Sequence, residues 1–162
     1  MFFEEKLKER LSRYYDVTEA EQVGVLTFDL VARYNQRNAG YVIKKSNEYY
    51  AFENNEFILY KKLDKPFTEA MLEEVGRFFK RDSERLLSVH DEHMSSAVTL
   101  IFETELPIDE ALVKKIQKFN FYKSFRFGFK GWLHGGLMLI NPEEGRGLSN
   151  KYSKKELTKF LS

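Results

Sequence analysis

The segment Leu26–Tyr34, LTFDLVARY, decides the fold class, because apolar and polar residues alternate along it. A period of two residues is typical of a strand with one buried face. The residues that share one side of this alternation are Leu26, Phe28, Leu30, Ala32 and Tyr34. The segment therefore predicts a β-strand of good length near the start of the chain.

Three further runs rich in β-branched and aromatic residues follow this strand, at Tyr41–Ile43, Tyr49–Phe52 and Phe57–Tyr60. Short turns that contain Asn separate them. Asn tolerates a positive φ, and such turns connect the strands of hairpins. We therefore predict an antiparallel meander of three or four strands between Gly24 and Lys62.

Helical periodicity flanks the meander. Apolar residues recur every three or four positions over Phe2–Tyr15, which predicts an amphipathic helix. A second helix is expected after Pro66, with Thr68 as its cap, and a third over Pro107–Phe119. The residues Ser153–Glu156 fit a capping box and open a short terminal helix.

Three more strands are expected at Ala97–Phe102, Lys123–Trp132 and Gly136–Asn141. The order is then helix, β-meander, helix, strand, helix, two strands, helix. This order predicts an α+β fold, with a mostly antiparallel sheet of six to eight strands and three to four helices packed on it. The length of 162 residues suits one domain that spans residues 1–162.

The composition excludes several classes of protein. Hydrophobic residues make up 43% of the chain and aromatic residues 15%, which is too apolar for a disordered chain. There is no Cys, so disulfides and thiolate chemistry are excluded. The first residues are charged and lack the apolar core of a signal peptide, and no run is long enough to span a bilayer. We expect a soluble cytoplasmic protein without a membrane partner.

The net charge of +1 conceals an uneven distribution. The residues from Glu110 onward carry 11 Lys and Arg against four Glu, whereas the first 109 residues carry 15 against 21 acids. The split is compatible with a basic surface for an anionic ligand or nucleic acid, or with a homo-oligomer that joins acidic and basic halves. The simpler interpretation, which we favour, is that folding mixes these charges over the surface.

The stretch Phe119–Ile140, FNFYKSFRFGFKGWLHGGLMLI, holds the only Trp of the chain and one of its three His. On a strand, Phe125, Phe127 and Phe129 share one face, and we expect this face to be core. The opposite edge of this strand carries Lys and Arg side chains and Trp132, whose ring could stack on a ligand. Our candidate ligand-binding residues are Lys123, Arg126, Lys130, Trp132 and His134.

The residues Phe127-Gly128-Phe129 resemble the core of the ribonucleoprotein motif of RNA-recognition domains. That motif has Gly where Arg126 stands and an aliphatic residue where Lys130 stands. The resemblance implies rings that stack on bases and cations that neutralise phosphates. Nucleic-acid binding is therefore an alternative function.

A metal-dependent hydrolase or nuclease-like enzyme is the other alternative. His90 and His93 could ligate a metal together with His134, although the segment also suits a solvated loop. The order of elements is similar to the start of the PD-(D/E)xK nuclease fold. That resemblance implies a Mg²⁺ held by strand carboxylates, and the candidates are Asp29, Glu48, Glu53 and Glu56. Ile58 stands where the fold has its catalytic Lys, so the motif is incomplete.

No motif for a cofactor, phosphate loop or nucleophile elbow occurs, so we predict no cofactor and assign no catalytic or metal residue. The residues HMSS (93–96), FYKSFRFGFKGW (121–132) and a hairpin that ends near Asn150–Lys151 resemble a family of small uncharacterised prokaryotic proteins. The resemblance implies no activity, cofactor or site residue. The leading hypothesis is a non-enzymatic binding or interaction domain.

Overall fold

A computed structural model describes residues 2–34, 53–87, 94–125 and 131–161. Seven strands form one sheet: β1 Tyr15–Val23, β2 Leu26–Tyr34, β3 Glu53–Lys62, β4 Met94–Glu103, β5 Phe121–Ser124, β6 Gly131–Asn141 and β7 Arg146–Ser149. Four α-helices lie within the same ranges: α1 Phe3–Leu11, α2 Glu69–Arg77, α3 Glu110–Lys118 and α4 Lys154–Leu161. Short turns of π-helix (Phe78–Asp82) and 3₁₀-helix (Ser83–Leu86) follow α2, and a 3₁₀ turn (Lys151–Ser153) precedes α4.

The sheet has the strand order β1-β2-β3-β4-β6-β5, and β7 pairs with β6. The pairings of β3 with β4 and of β4 with β6 are parallel, and the other pairings are antiparallel. The α+β class is confirmed, but the expected mostly antiparallel sheet is wrong, because the sheet is mixed. The cause lies in the segments that connect the parallel strands. Helix α2 connects β3 to β4, and α3 with the short strand β5 connects β4 to β6, so each crossover returns the chain to the end at which the earlier strand began.

Helices cover both faces of the sheet. On the first face, α2, α3 and the π-helical turn pack over the odd-numbered residues of β3, among them Leu59, with Phe78 and Phe79 fully buried. On the second face, α1 and α4 pack over the even-numbered residues of the same strand, among them Ile58 and Tyr60. Each large apolar side chain buried here contributes about 1.5–3 kcal/mol. The sheet is therefore the middle layer of three.

The predicted helix Phe2–Tyr15 is shorter in the structure. Helix α1 ends at Leu11, where its apolar stripe ends, and the Ser12 hydroxyl donates to the carbonyl of Lys8 at 2.7 Å. Tyr15 already belongs to β1 and pairs with Tyr34 of β2. Strand β1 escaped prediction because it is an edge strand and carries charged residues on much of its surface, as edge strands commonly do.

A two-residue turn of Gly24 and Val25 joins β1 to β2. Gly24 has a φ of +63°. A type II′ hairpin turn has a positive φ at its first turn residue and therefore favours Gly there. The buried side chain of Asp82, from the π-helical turn, lies against Gly24. Arg81 and Arg85 place their Nε atoms 3.3 and 3.6 Å from an Asp82 oxygen. The turn is therefore anchored to the first helical layer.

Several predicted elements are confirmed. Strand β2 lies within the predicted alternation, but both of its faces are buried rather than one, with Val31 in the first core and Leu30 in the second. Thr68 caps α2 by accepting a hydrogen bond from the backbone N–H of Met71 at 3.3 Å. The predicted strands at Tyr41–Ile43 and Tyr49–Phe52 lie outside the described residues. None of the helices in the described ranges is long and apolar enough to cross a membrane.

The single strand predicted over Lys123–Trp132 is wrong. Lys123 belongs to β5 and Trp132 to β6, and these two strands pair antiparallel, with Ser124 opposite Trp132. The alternation of rings and cations suggested one long strand, but the two ends of the predicted strand are neighbours in the sheet. Phe125 packs against the first core layer, as expected of it, while residues 126–130 lie outside the described part of the chain.

Candidate functional site

The candidate site lies on the face of the sheet that α1 and α4 partly cover. The strand register places Glu56 of β3 beside Ala97 of β4, and Ala97 beside His134 of β6. His134 in turn lies beside Tyr122 of β5. Paired residues of neighbouring strands point to the same face, so these four side chains form one row across the sheet. This row is polar and aromatic, in contrast to the apolar rows that α1 and α4 bury.

Two adjoining cavities lie between this row and α4. The first has a volume of about 350 Å³ and is lined by Ala97 on the sheet and Tyr152 on the helical side. The second has a volume of about 280 Å³ and lies between α1, α4 and the sheet. Glu56, Thr99 and Glu156 line both cavities, so the carboxyl group of Glu56 lies where the two meet. Their combined size is that of a pocket for a small ligand.

Glu56 is a largely buried carboxyl group, and burial raises its pKa above the usual value. The hydroxyl of Tyr15 donates a hydrogen bond to it, which offsets part of this effect. The charge of nearby Glu156 raises the pKa further, and that of Lys159 lowers it. Burial and the neighbouring Glu56 also raise the pKa of Tyr15, so this phenol keeps its proton. Glu56 therefore holds its own proton to a higher pH than a solvated glutamate, which is a common property of binding and catalytic groups.

A second Tyr–Glu pair on the same face shows what a purely structural pair looks like. The fully buried Tyr60 donates to one oxygen of Glu103 at 2.7 Å. The other oxygen lies 3.9 Å from Nζ of Lys62. Glu103 thus has a partner for each oxygen within the protein, whereas Glu56 borders two cavities. The difference distinguishes Glu56 as a candidate ligand-binding group.

Three rings lie in contact beside the first cavity. The imidazole of His134 stacks on Tyr152, with 4.7 Å between ring centroids and nearly parallel planes, and contacts Tyr122 at 4.9 Å with the planes tilted by 55°. Burial lowers the pKa of His134, so its ring is neutral at pH 7. Burial raises the pKa of Tyr152, and the nearby carboxylates of Glu56 and Glu156 raise it further. Tyr152 therefore contacts His134 and also lines the first cavity together with Glu56.

Ser153 contributes a buried hydroxyl to the wall of the same cavity. Its side chain is 2% exposed, and its Oγ has no hydrogen-bond partner among the described residues. A Cβ built on Gly136 would lie only 2.3 Å from this Oγ, so the hydroxyl rests directly on β6. Helix α4 begins at Lys154 as predicted, but the capping hydrogen bond expected from Ser153 is not formed. An unpaired buried hydroxyl costs about 1–3 kcal/mol, which makes it a candidate to bind a ligand.

The structure brings two of the five predicted ligand-binding residues to this face. His134 is part of the ring stack, and Trp132 lies one row further along β6, opposite Ser95 of β4. Trp132 is half-buried and in contact with its surroundings. Arg126 and Lys130 lie outside the described residues.

Lys123 points to the opposite face of the sheet. Its ammonium group forms an ion pair with Glu84 and lies 5.5 Å from the centre of the Phe125 ring. Lys115 and Glu69 form a similar ion pair between α3 and α2. These two contacts join the basic last third of the chain to the acidic first 109 residues within one molecule.

The metal ligands considered for the enzyme alternative do not lie close together, as far as the described residues show. Asp29 accepts a hydrogen bond from the backbone N–H of Lys62 at 2.7 Å, and Lys62 is six residues from Glu56 along β3, or about 20 Å. His90, His93 and Glu48 lie outside the described residues, as does the side chain of Glu53. Among the described residues, no three His, Asp or Glu side chains are grouped so that they could hold a metal ion.

Sequence reasoning missed Tyr15, Tyr152 and Ser153, and it considered Glu56 only as a metal ligand. Glu56 did have a signal, since it shares a face with Ile58 and Tyr60 and is therefore an acid on an apolar strand face. Tyr152 and Ser153 had none, because they reach the site through a short turn after β7 rather than through a periodic element.

The comparison with known proteins gives a family. No curated protein matches the chain, and no solved structure matches it. A family model described as a domain of unknown function, DUF8052, matches residues 2–162. The match includes every residue that lines the two cavities, which together we call the cleft. The chain therefore belongs to the DUF8052 family.

Proposed function

We propose that the protein is a non-enzymatic binding domain that holds a small ligand in the two cavities on the α1 and α4 face of its sheet. The position of Glu56 carries the proposal. A carboxyl group on a central strand is costly to bury, and a protein that needed only a core would place an apolar residue there. Here the carboxyl group is retained at the junction of two cavities.

The surroundings of Glu56 support a binding role. Ligand pockets combine apolar or aromatic walls with a few polar groups that orient the ligand. The ring of Tyr152 supplies such a wall, and Glu56 and the unpaired hydroxyl of Ser153 supply polar groups. The small side chain of Ala97, between Glu56 and His134 in its row, leaves room above the sheet.

Cations on the helices favour a ligand with an anionic group. Arg10 and Arg13 at the end of α1 line the second cavity and Lys155 lines the first, whereas Lys159 of α4 forms an ion pair with Glu156 at 3.3 Å. The guanidinium of Arg10 donates to the backbone carbonyl of Lys159 and so links the two helices. These cations support an anionic ligand at the helical side of the cavities, and we propose that partner in preference to a second copy of the chain.

Substitution of Ala97 by leucine tests the proposal. The larger side chain projects into the first cavity and narrows it, and the matched substitution Ala70→Leu adds the same atoms to an exposed position on α2. Both variants and the parent are titrated with a set of small anionic and heteroaromatic compounds while ¹H–¹⁵N NMR spectra are recorded. We expect some compounds to shift the amide signals of β3, β4 and α4 in the parent and in Ala70→Leu, and to lose this effect in Ala97→Leu.

Two results would contradict this function. One is that no compound shifts signals around the cleft at millimolar concentration. The other is that the compounds bind equally well to Ala97→Leu, because the ligand site would then lie elsewhere.

A further inference from the structure

Tyr152 and Glu56 both line the first cavity, and Tyr152 also stacks on His134. The centroids of these two rings lie 4.7 Å apart and their planes are 5° from parallel, so His134 covers one face of Tyr152. Ala97, which lies between Glu56 and His134 on the sheet, is too small to fill the space above it. The first cavity therefore offers an aromatic ring and a carboxyl group to the same ligand, and we call the space beside these two groups the slot.

We infer that this slot takes a planar nitrogen heterocycle of the nucleobase type, stacked on Tyr152 and hydrogen-bonded along its edge to Glu56. The inference rests on the proposed function and specifies its ligand. A ring that enters the slot continues a stack that the protein has already built. Base–aromatic stacking tolerates different bases, because every base has a π-face.

The carboxyl group supplies selectivity along the edge of the ring. An ionised carboxylate only accepts hydrogen bonds and has about four acceptor positions, of which Tyr15 uses one. It therefore selects rings whose edge presents N–H donors, and two adjacent donors, as in guanine, suit its two oxygens best. The hydroxyl of Ser153, which has no partner among the described residues, adds a group that can donate or accept.

The volume and charge of the neighbouring space fit the rest of a nucleotide. About 350 Å³ in the first cavity exceeds what a base alone requires, and the second cavity continues past Glu56 toward Arg10 and Arg13. A phosphate attached to the base through a sugar would meet these cations. A free nucleotide and a nucleotide within a single strand offer the same chemistry, and the experiment separates them.

The experiment uses guanosine 5′-monophosphate, ribose 5-phosphate and a single-stranded tetranucleotide as probes of the full chain, with NMR titration and calorimetry. Tyr152→Leu removes the wall of the slot. Phe2→Leu removes a ring that lines neither cavity and is the matched control. Tyr152 is about half exposed and Phe2 is 76% exposed, so neither substitution removes core, and circular dichroism confirms the fold.

We expect guanosine 5′-monophosphate to bind the parent and to lose about 5- to 150-fold in affinity in Tyr152→Leu, the range that corresponds to one lost base–ring stack. In Phe2→Leu the affinity should stay within about threefold. Glu56→Gln should weaken the binding of guanosine 5′-monophosphate more than that of the adenosine nucleotide, because the amide of Gln accepts fewer hydrogen bonds from N–H groups. If the tetranucleotide binds more tightly than guanosine 5′-monophosphate and also loses affinity in Tyr152→Leu, the ligand is a nucleotide within a single strand.

Other outcomes overturn the inference and separate it from the proposed function. If ribose 5-phosphate shifts the cleft signals as strongly as the nucleotide, or if Tyr152→Leu binds like the parent, the heterocycle is refuted while the ligand cleft stands. If no probe and no compound of the anionic set shifts these signals, both proposals fail.

Discussion

Replacement of Gly24 by alanine tests how the β1–β2 turn is held against the first helical layer. Gly24 has a φ of +63°, and a Cβ at this position would lie 2.1 Å from Cγ and 2.5 Å from Cβ of Asp82. A left-handed conformation costs a non-glycine residue about 1–2 kcal/mol. Displacement of a packed side chain costs about 1–3 kcal/mol more. We therefore expect Gly24→Ala to lower the free energy of unfolding by about 2–5 kcal/mol.

The chain offers a matched control for the backbone part of this cost. Gly145, in the turn between β6 and β7, has a φ of +62°, and a Cβ there would meet no atom within 4 Å. Gly145→Ala should therefore lose only the conformational part, about 1–2 kcal/mol. The difference between the two variants isolates the contact with Asp82.

Urea unfolding followed by circular dichroism gives both values, provided that the slope of the transition is the same in the parent and the variants. Asp82 is 1% exposed and held by Arg81 and Arg85, so it has little freedom to withdraw. Equal losses in Gly24→Ala and Gly145→Ala would refute the reasoning, because the Asp82 contact would then add nothing. A loss in Gly24→Ala below about 1 kcal/mol would refute the left-handed turn as well.

Two further predictions concern a buried charge and a helix cap. The pKa of Glu56 is raised in the folded protein, so its contribution to stability is greatest below its ordinary pKa and is lost as the pH rises through the folded value. Glu56→Gln should remove this loss, so the variant should gain stability relative to the parent between pH 4 and pH 8 in urea titrations; a constant difference would contradict the raised pKa. Thr68→Ala removes the hydrogen bond to Met71 and should cost about 1 kcal/mol. Thr68→Ser keeps the cap and should cost clearly less in the same assay, and equal losses would mean that the cap does not stabilise α2.

The fold class was predictable because local patterns carry it. Strand β2 was predictable because its residues alternate, although both of its faces are core: Val31 packs in the first core layer and Leu30 in the second. Helix α2 begins where Thr68 can cap it. The mixed sheet was not predicted, although the signal for parallel pairing was present: α2 lies between β3 and β4, and α3 with the short strand β5 lies between β4 and β6. Strand β1 lacked a pattern because an edge strand with charged faces has little to bury.

The predicted ligand residues failed to form one group for a geometric reason. The prediction of a single strand over Lys123–Trp132 assigned its odd-numbered and even-numbered residues to opposite faces of that strand. In the sheet, Lys123 is opposite Leu133, a residue of the first core, so Lys123 points to that face. Trp132 and His134 point to the other. A reversal of the chain between two pairing strands changes which residues share a face, and alternation alone does not reveal where the reversal falls.

The cleft also depends on small residues whose role becomes clear only from the pairing of the strands. Ala97 stands in the row between Glu56 and His134, and Gly136 stands one row away, beneath Ser153 and Thr99. A side chain on Gly136 would meet Ser153 Oγ at 2.3 Å and Thr99 Oγ1 at 2.7 Å, so it would displace both hydroxyls from the cavity wall. Strands on this face elsewhere carry large apolar residues such as Ile101 and Met138. The small residues on the floor and the carboxyl group of Glu56 at the edge therefore belong to one arrangement, which leaves a cavity at the end of the sheet that the apolar helices do not fill.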